Sequence, residues 1–82
     1  MKRALRYEGR FQRDFKRLDF DTQARILSAL ERFAATGHGD IRPLQGEFAG
    51  SYRVRIGKCR VYVLLDGTSI TAYQIDNRGE AY

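Results

Sequence analysis

Within Tyr52-Arg53-Val54-Arg55-Ile56-Gly57-Lys58-Cys59-Arg60-Val61-Tyr62-Val63, apolar and mostly basic residues alternate on either side of Gly57-Lys58. Alternation with a period of two marks a strand, and a Gly-X pair between two such runs is the sequence form of a type II′ hairpin turn. That turn sets Ile56 opposite Cys59, Arg55 opposite Arg60, Val54 opposite Val61, and Arg53 opposite Tyr62. Opposed residues share a face. Tyr52, Val54, Ile56, Cys59, Val61 and Val63 therefore make an apolar side, and Arg53, Arg55, Arg60 and Tyr62 make the other. Guanidinium groups stay charged and donate in pairs to phosphate or carboxylate oxygens. Like charges opposed across a sheet repel, so Arg55 facing Arg60 fits a surface for an anionic ligand. It fits equally a solvated face whose arginines keep the sheet soluble. The absence of any acid from Phe48 to Leu65 favours the ligand.

The rest of the chain must supply a second layer for the apolar side. Arg3 to Tyr7 reads as an edge strand with Leu5 and Tyr7 inward. Phe11, Phe15 and Leu18 recur at i, i+4 and i+7, one stripe of a short helix, with Arg10, Arg13, Lys16 and Arg17 mostly off it as a solvated face. Asp19 or Asp21 caps a second helix carrying Ile26, Leu27, Leu30, Phe33 and Ala34, and Gly37 ends it. The short link between them predicts an antiparallel αα-hairpin. His38, between two glycines, reads as an exposed turn residue. Arg42 to Glu47 reads as a connector, because Pro43 stops regular pairing. After the hairpin, Leu64-Leu65-Asp66-Gly67 signals a turn and Ser69 to Ile75 a strand. The length of that turn decides whether Tyr73 and Ile75 face the core or the arginines, and the sequence leaves both open. A second basic and phenolic pair, Arg78 and Tyr82, closes the chain. The predicted architecture is a two-layer α+β domain over residues 1–82: an N-terminal strand, an antiparallel αα-hairpin and a three-stranded antiparallel sheet.

Size and composition agree with one small core. The sequence has 82 residues, 43% of them hydrophobic, with five Phe and five Tyr. Fifteen Lys and Arg against ten Asp and Glu leave a formal charge of +5, which favours a polyanionic partner, nucleic acid or acidic protein. No apolar run approaches the roughly 20 residues of a membrane helix, and Met1-Lys2-Arg3-Ala4-Leu5 lacks a signal peptide's apolar region. A cytoplasmic protein without membrane contact is expected. One cysteine excludes an internal disulfide.

Taken together, Phe15-Lys16-x-Leu18, Ile26-Leu27-x-x-Leu30, Arg42-Pro43-Leu44-x-Gly46, Tyr52-Arg53-Val54-Arg55-Ile56-Gly57-x-x-Arg60-Val61 and Asn77-Arg78-x-x-x-Tyr82 resemble the RelE/ParE superfamily of toxins from type II toxin-antitoxin modules. The resemblance implies a RelE-like domain that enters the ribosomal A site and cuts mRNA, inhibiting translation until an acidic, RelB-like antitoxin neutralises it. It places the catalytic residues at Arg53, Arg55, Arg60, Arg78 and Tyr82. Independently of the resemblance, Lys58, Tyr62 and Tyr73 are expected to bind substrate, the tyrosine rings by stacking on a base. The sequence departs from the family at Asn77, where members often have His, and at Cys59, where an aromatic residue is frequent.

For such an endoribonuclease the residues suggest chemistry without a cofactor. Acids are scattered and His and Cys single, so no metal-binding cluster is visible in the sequence. RNA's own 2′-hydroxyl then serves as nucleophile, the arginines hold the phosphate and its growing charge, and Tyr82 is the candidate for proton transfer if nearby cations lower its pKa. Two other readings share the fold: a ParE-like DNA gyrase inhibitor without nuclease activity, and an inactive partner protein for which Asn77 and Cys59 are signs of decay.

Overall fold

The computed structural model describes residues 3–43 and 50–76. Elements follow in the order β1 (Ala4–Tyr7), α1 (Gly9–Lys16), α2 (Phe20–Thr36), β2 (Ile41–Pro43), β3 (Ser51–Ile56), β4 (Cys59–Leu65) and β5 (Ser69–Asp76). The strands form one sheet in the order β1-β5-β4-β3-β2. All neighbours are antiparallel except β1 and β5, which run parallel.

The α+β class and two-layer plan hold, but the sheet differs from the expected three antiparallel strands. β1 joins it as an edge strand, with Leu5 beside Ile70 and Tyr7 beside Ala72. The residues expected to be a connector contribute β2, in which Ile41, Arg42 and Pro43 pair with Val54, Arg53 and Tyr52. Proline is tolerated there because β2 is the other edge and leaves one side of its backbone without a ladder. The remainder of that connector, residues 44–47, lies outside the described residues.

Helix α2 starts where the sequence supplies a cap. Asp19 accepts from the Thr22 backbone N–H at 3.3 Å and from the Thr22 hydroxyl, satisfying a donor that the helix start leaves without a partner. The Thr22 hydroxyl and amide hold the Asp19 carboxyl below its ordinary value. The helix ends at Gly37, in the left-handed conformation at φ 78°. Its stripe Ile26, Leu30, Phe33 and Ala34 is buried, and with Phe11 it covers Val54, Cys59, Val61, Val63, Ile70, Ala72 and Ile75 on one face of the sheet. Phe15 and Leu18 pack at the margin of this core, Leu18 lying beyond the last turn of α1. Tyr7, Phe11 and Phe15 stack in series, with ring centroids 5.1 and 5.7 Å apart. Burial and then the charge of Glu31 push the Tyr7 phenol up.

The β4–β5 turn is held by one carboxylate. Asp66 accepts from the backbone N–H groups of Thr68 and Ser69, both at 2.7 Å, and from both hydroxyls. These bonds favour the charged form and lower its pKa to about 2, from 3.8. A carboxylate with a depressed folded-state pKa contributes stability that is fully present above the unfolded value and lost as pH falls through the folded one. The advantage of the native chain over Asp66→Asn, measured as a urea midpoint, is therefore expected to be constant above pH 4 and to shrink steadily towards pH 2. A pH-independent difference would contradict this role. No helix among the described residues is long and apolar enough to cross a membrane.

Candidate functional site

The hairpin register is the one read from the sequence. Ile56 pairs with Cys59, Arg55 with Arg60, Val54 with Val61 and Arg53 with Tyr62. Gly57 has φ 58°, and Lys58 does not adopt positive φ, the pattern of a type II′ turn. Cys59, Val61 and Val63 are buried beneath the helices, so the alternation of β4 turns Arg60 and Tyr62 to the outer face.

β2 and β5 widen that face on either side. Arg42 of β2 lies opposite Arg53, while Gln74 and Asp76 of β5 lie opposite Tyr62 and Arg60. Two rows cross the sheet: Arg42, Arg53, Tyr62 and Gln74 in one, Arg55, Arg60 and Asp76 in the other. Each contains a pair of directly opposed arginines. On β1, Arg6 sits beside Thr71 and adds a further charge to the same side. Among the described strand positions of this face, Asp76 is the single acid.

A register shift between Tyr62 and Val63 decides the question that the sequence left open. Val63 pairs with Ala72 and Tyr62 with Gln74, so Tyr73 is the extra residue of a bulge. The bulge reverses the alternation within β5. Ile75 therefore joins the core, whereas Tyr73 meets Tyr62, with ring centroids 6.3 Å apart and tilted by 36°. The two phenol rings form an aromatic step beside the arginines.

The structure thus brings Arg53, Arg55, Arg60, Tyr62 and Tyr73 to one face, with Lys58 exposed at the hairpin tip. Arg78 and Tyr82, the other two residues expected to be catalytic, and the departure at Asn77 lie outside the described residues. Cys59 is buried in the core, consistent with a packing role. His38 is exposed in the α2–β2 link. Sequence reasoning missed Arg42, because Pro43 suggested a break. It missed Gln74 and Asp76 as neighbours because they are distant from the hairpin along the chain. Among the described residues, no group of three or more His, Cys, Asp and Glu could hold a metal ion.

This architecture, two helices on one face of a five-stranded mixed sheet, is that of the RelE, YoeB and YafQ toxins. The archaeal RelE–RelB complex from Pyrococcus horikoshii contains a chain that matches with a TM-score of 0.79 at 18% identity, over 96% of this chain and 98% of that one. The toxin-antitoxin complex RelBE2 from Mycobacterium tuberculosis gives 0.71 at 26% identity, over 95% and 100%. The YoeB dimer from Staphylococcus aureus gives 0.74 at 18%, over 90% and 94%. No protein-family model matches the sequence, nor does any curated protein. The resemblance to RelE-like toxins read from the motifs is thus borne out in the fold.

Proposed function

We propose that this chain is the toxin of a type II toxin-antitoxin pair and an endoribonuclease that cuts mRNA in the ribosomal A site. The observation that carries the reading is the outer face of a RelE-like sheet on which two opposed arginine pairs flank a tyrosine step. Opposed arginines repel unless an anion lies between them, and guanidinium pairs match the oxygens of a phosphodiester. Unpaired bases stack on aromatic rings, the usual mode of single-stranded RNA recognition.

The proposed reaction uses no metal. The 2′-oxygen of the substrate attacks the adjacent phosphorus and the bond to the 5′-oxygen breaks, leaving a 2′,3′-cyclic phosphate and a 5′-hydroxyl. Arg53, Arg55 and Arg60 hold the phosphate and balance the charge of the phosphorane. Arg78 joins them and Tyr82 moves the proton, both assigned from the motif Asn77-Arg78-x-x-x-Tyr82. Tyr62 and Tyr73 stack on bases, and Lys58 meets the backbone from the hairpin tip. An acidic RelB-like antitoxin, drawn to the positive charge, covers this surface and silences it in the cytoplasm. The solved neighbours include toxin-antitoxin complexes, which supports such a partner.

Primer extension on an mRNA translated in a purified system, beside the same mRNA without ribosomes, tests the activity. Cuts confined to the translated message are expected. Cuts in both would indicate a free ribonuclease. Cuts in neither would overturn the reading and direct attention to the ParE-like alternative, tested by gyrase supercoiling. Tyr73→Ala is expected to weaken binding of a 2′-O-methyl RNA by about 5- to 150-fold, the equivalent of about 1–3 kcal/mol per stacked base. Unchanged affinity would remove Tyr73 from the site.

A further inference from the structure

A regular strand turns every second residue to the same side. Continued from Ala72, which is buried, that rule would send Gln74 into the core and Ile75 out of it. The bulge at Tyr73 does the opposite: Ile75 is buried, and Tyr73 and Gln74 are both partly exposed between two core residues. Two consecutive side chains of β5 thus stand on the outer face. Tyr73 meets the ring of Tyr62, and Gln74 lies directly opposite Tyr62. Bulges next to functional sites serve to re-aim a side chain.

The carboxamide brought out in this way has no task in the fold. Gln12 donates to the Tyr7 carbonyl at 3.1 Å and Gln23 to the Phe15 carbonyl at 2.8 Å, each tying a helix to the segment beside it. Among the described residues, the Gln74 side chain has no hydrogen-bond partner. One acceptor and two donors are therefore free at the edge of the aromatic step.

We propose that Gln74 reads the identity of the base that stacks on Tyr62 and Tyr73, and that the base it selects is adenine. The inference rests on the ribonuclease reading for its substrate, single-stranded RNA. Directly opposed residues stand about 4.5–5.5 Å apart at Cβ, so a base laid on Tyr62 meets the Gln74 carboxamide along its edge. On the Watson–Crick edge every base has a donor beside an acceptor, and a carboxamide that turns over suits them all. The N7 edge discriminates. Adenine offers its amino donor beside the N7 acceptor there, the complement of a carboxamide, whereas guanine offers two acceptors and the pyrimidines have no N7.

Binding of short 2′-O-methyl oligouridines carrying a single A, G, C or 7-deazaadenine tests this on the native chain and needs no cleavage. The oligomer with A is expected to bind about 5- to 150-fold more tightly than those with G or C, the discrimination of one bidentate pair. The 7-deazaadenine oligomer still stacks but lacks the N7 acceptor, and is expected to lose most of that advantage. Equal binding of A, G and C overturns the proposal and leaves the ribonuclease reading standing, and so does an adenine preference that 7-deazaadenine keeps in full. Absence of binding to every oligomer overturns it as well.

Gln74→Leu is expected to level these affinities, and Gln74→Arg to move the preference to guanine, whose O6 and N7 both accept. A preference that survives Gln74→Leu overturns the assignment to this residue. On a translated message the native chain is expected to cut mainly at codons containing adenine, and Gln74→Leu to spread the cuts over other codons. A native chain that selects adenine in binding yet cuts no message would end the ribonuclease reading and leave the role of Gln74 intact.

Discussion

Arg60→Ala is expected to slow mRNA cleavage by about 100-fold or more, the usual consequence of deleting one donor aimed at developing charge. The fold makes this substitution unusually informative. Arg60 projects from the side of β4 opposite to Cys59, Val61 and Val63, which belong to the core. Alanine therefore opens no cavity there. It also relieves the repulsion with Arg55, directly across the hairpin. Stability should change by no more than about 0.5 kcal/mol, as for surface positions in general, so lost cleavage would report on chemistry and not on folding. Tyr82→Phe complements it by keeping the ring and removing the proton. Growth on inducing each variant without antitoxin provides a parallel measurement. Full toxicity in both would refute the assignment of these residues to catalysis, whereas loss in both with native urea midpoints would support it.

Leu30→Ala is expected to cost about 2–5 kcal/mol, the range for truncating a fully buried aliphatic side chain. Leu30 is 0% exposed, as is Ile26 one turn earlier. They lie in the stripe of α2 that meets Val54, Val61 and Val63. The loss combines the methyl and methylene groups withdrawn from apolar surroundings with the cavity left under a sheet whose strands cannot collapse without breaking their ladder. Small domains have about 5–15 kcal/mol in total, and 82 residues place this one towards the lower end, so a large part of its stability is at stake. Urea unfolding of the variant should show a much lower midpoint. Phe20→Ala is the matched control: Phe20 is 81% exposed, and its removal should move the midpoint little. A similar drop for both would mean that α2 does not bury the stripe described here.

The parts of the molecule legible in the sequence are those governed by neighbours along the chain. Two residues at Gly57-Lys58 determine which residues of β3 and β4 oppose one another, because a tight hairpin has one register for one turn type. The apolar spacing of α2, with Asp19 at its start and Gly37 at its end, marks that helix for the same reason. From this came the arginine face, the apolar side beneath it and the tyrosine opposite Arg53.

Tertiary structure decided what lies beside that hairpin. Parallel pairing of β1 with β5 joins Leu5 to Ile70 across most of the chain, and no local pattern announces a contact of that separation. Pro43 reads as a break, yet an edge strand can hold it without losing a bond that its neighbour needs. The bulge at Tyr73 separates it from Ile75, although both stand at odd positions of one strand. Asp76 stands opposite Arg60 only because β5 returns along β4. Sequence alone thus determined the charges and the turn that aligns them, through interactions between residues close in the chain. Which residues flank those charges, and which aromatic ring joins them, followed from the packing of distant strands, whose register depends on the whole sheet closing over one core.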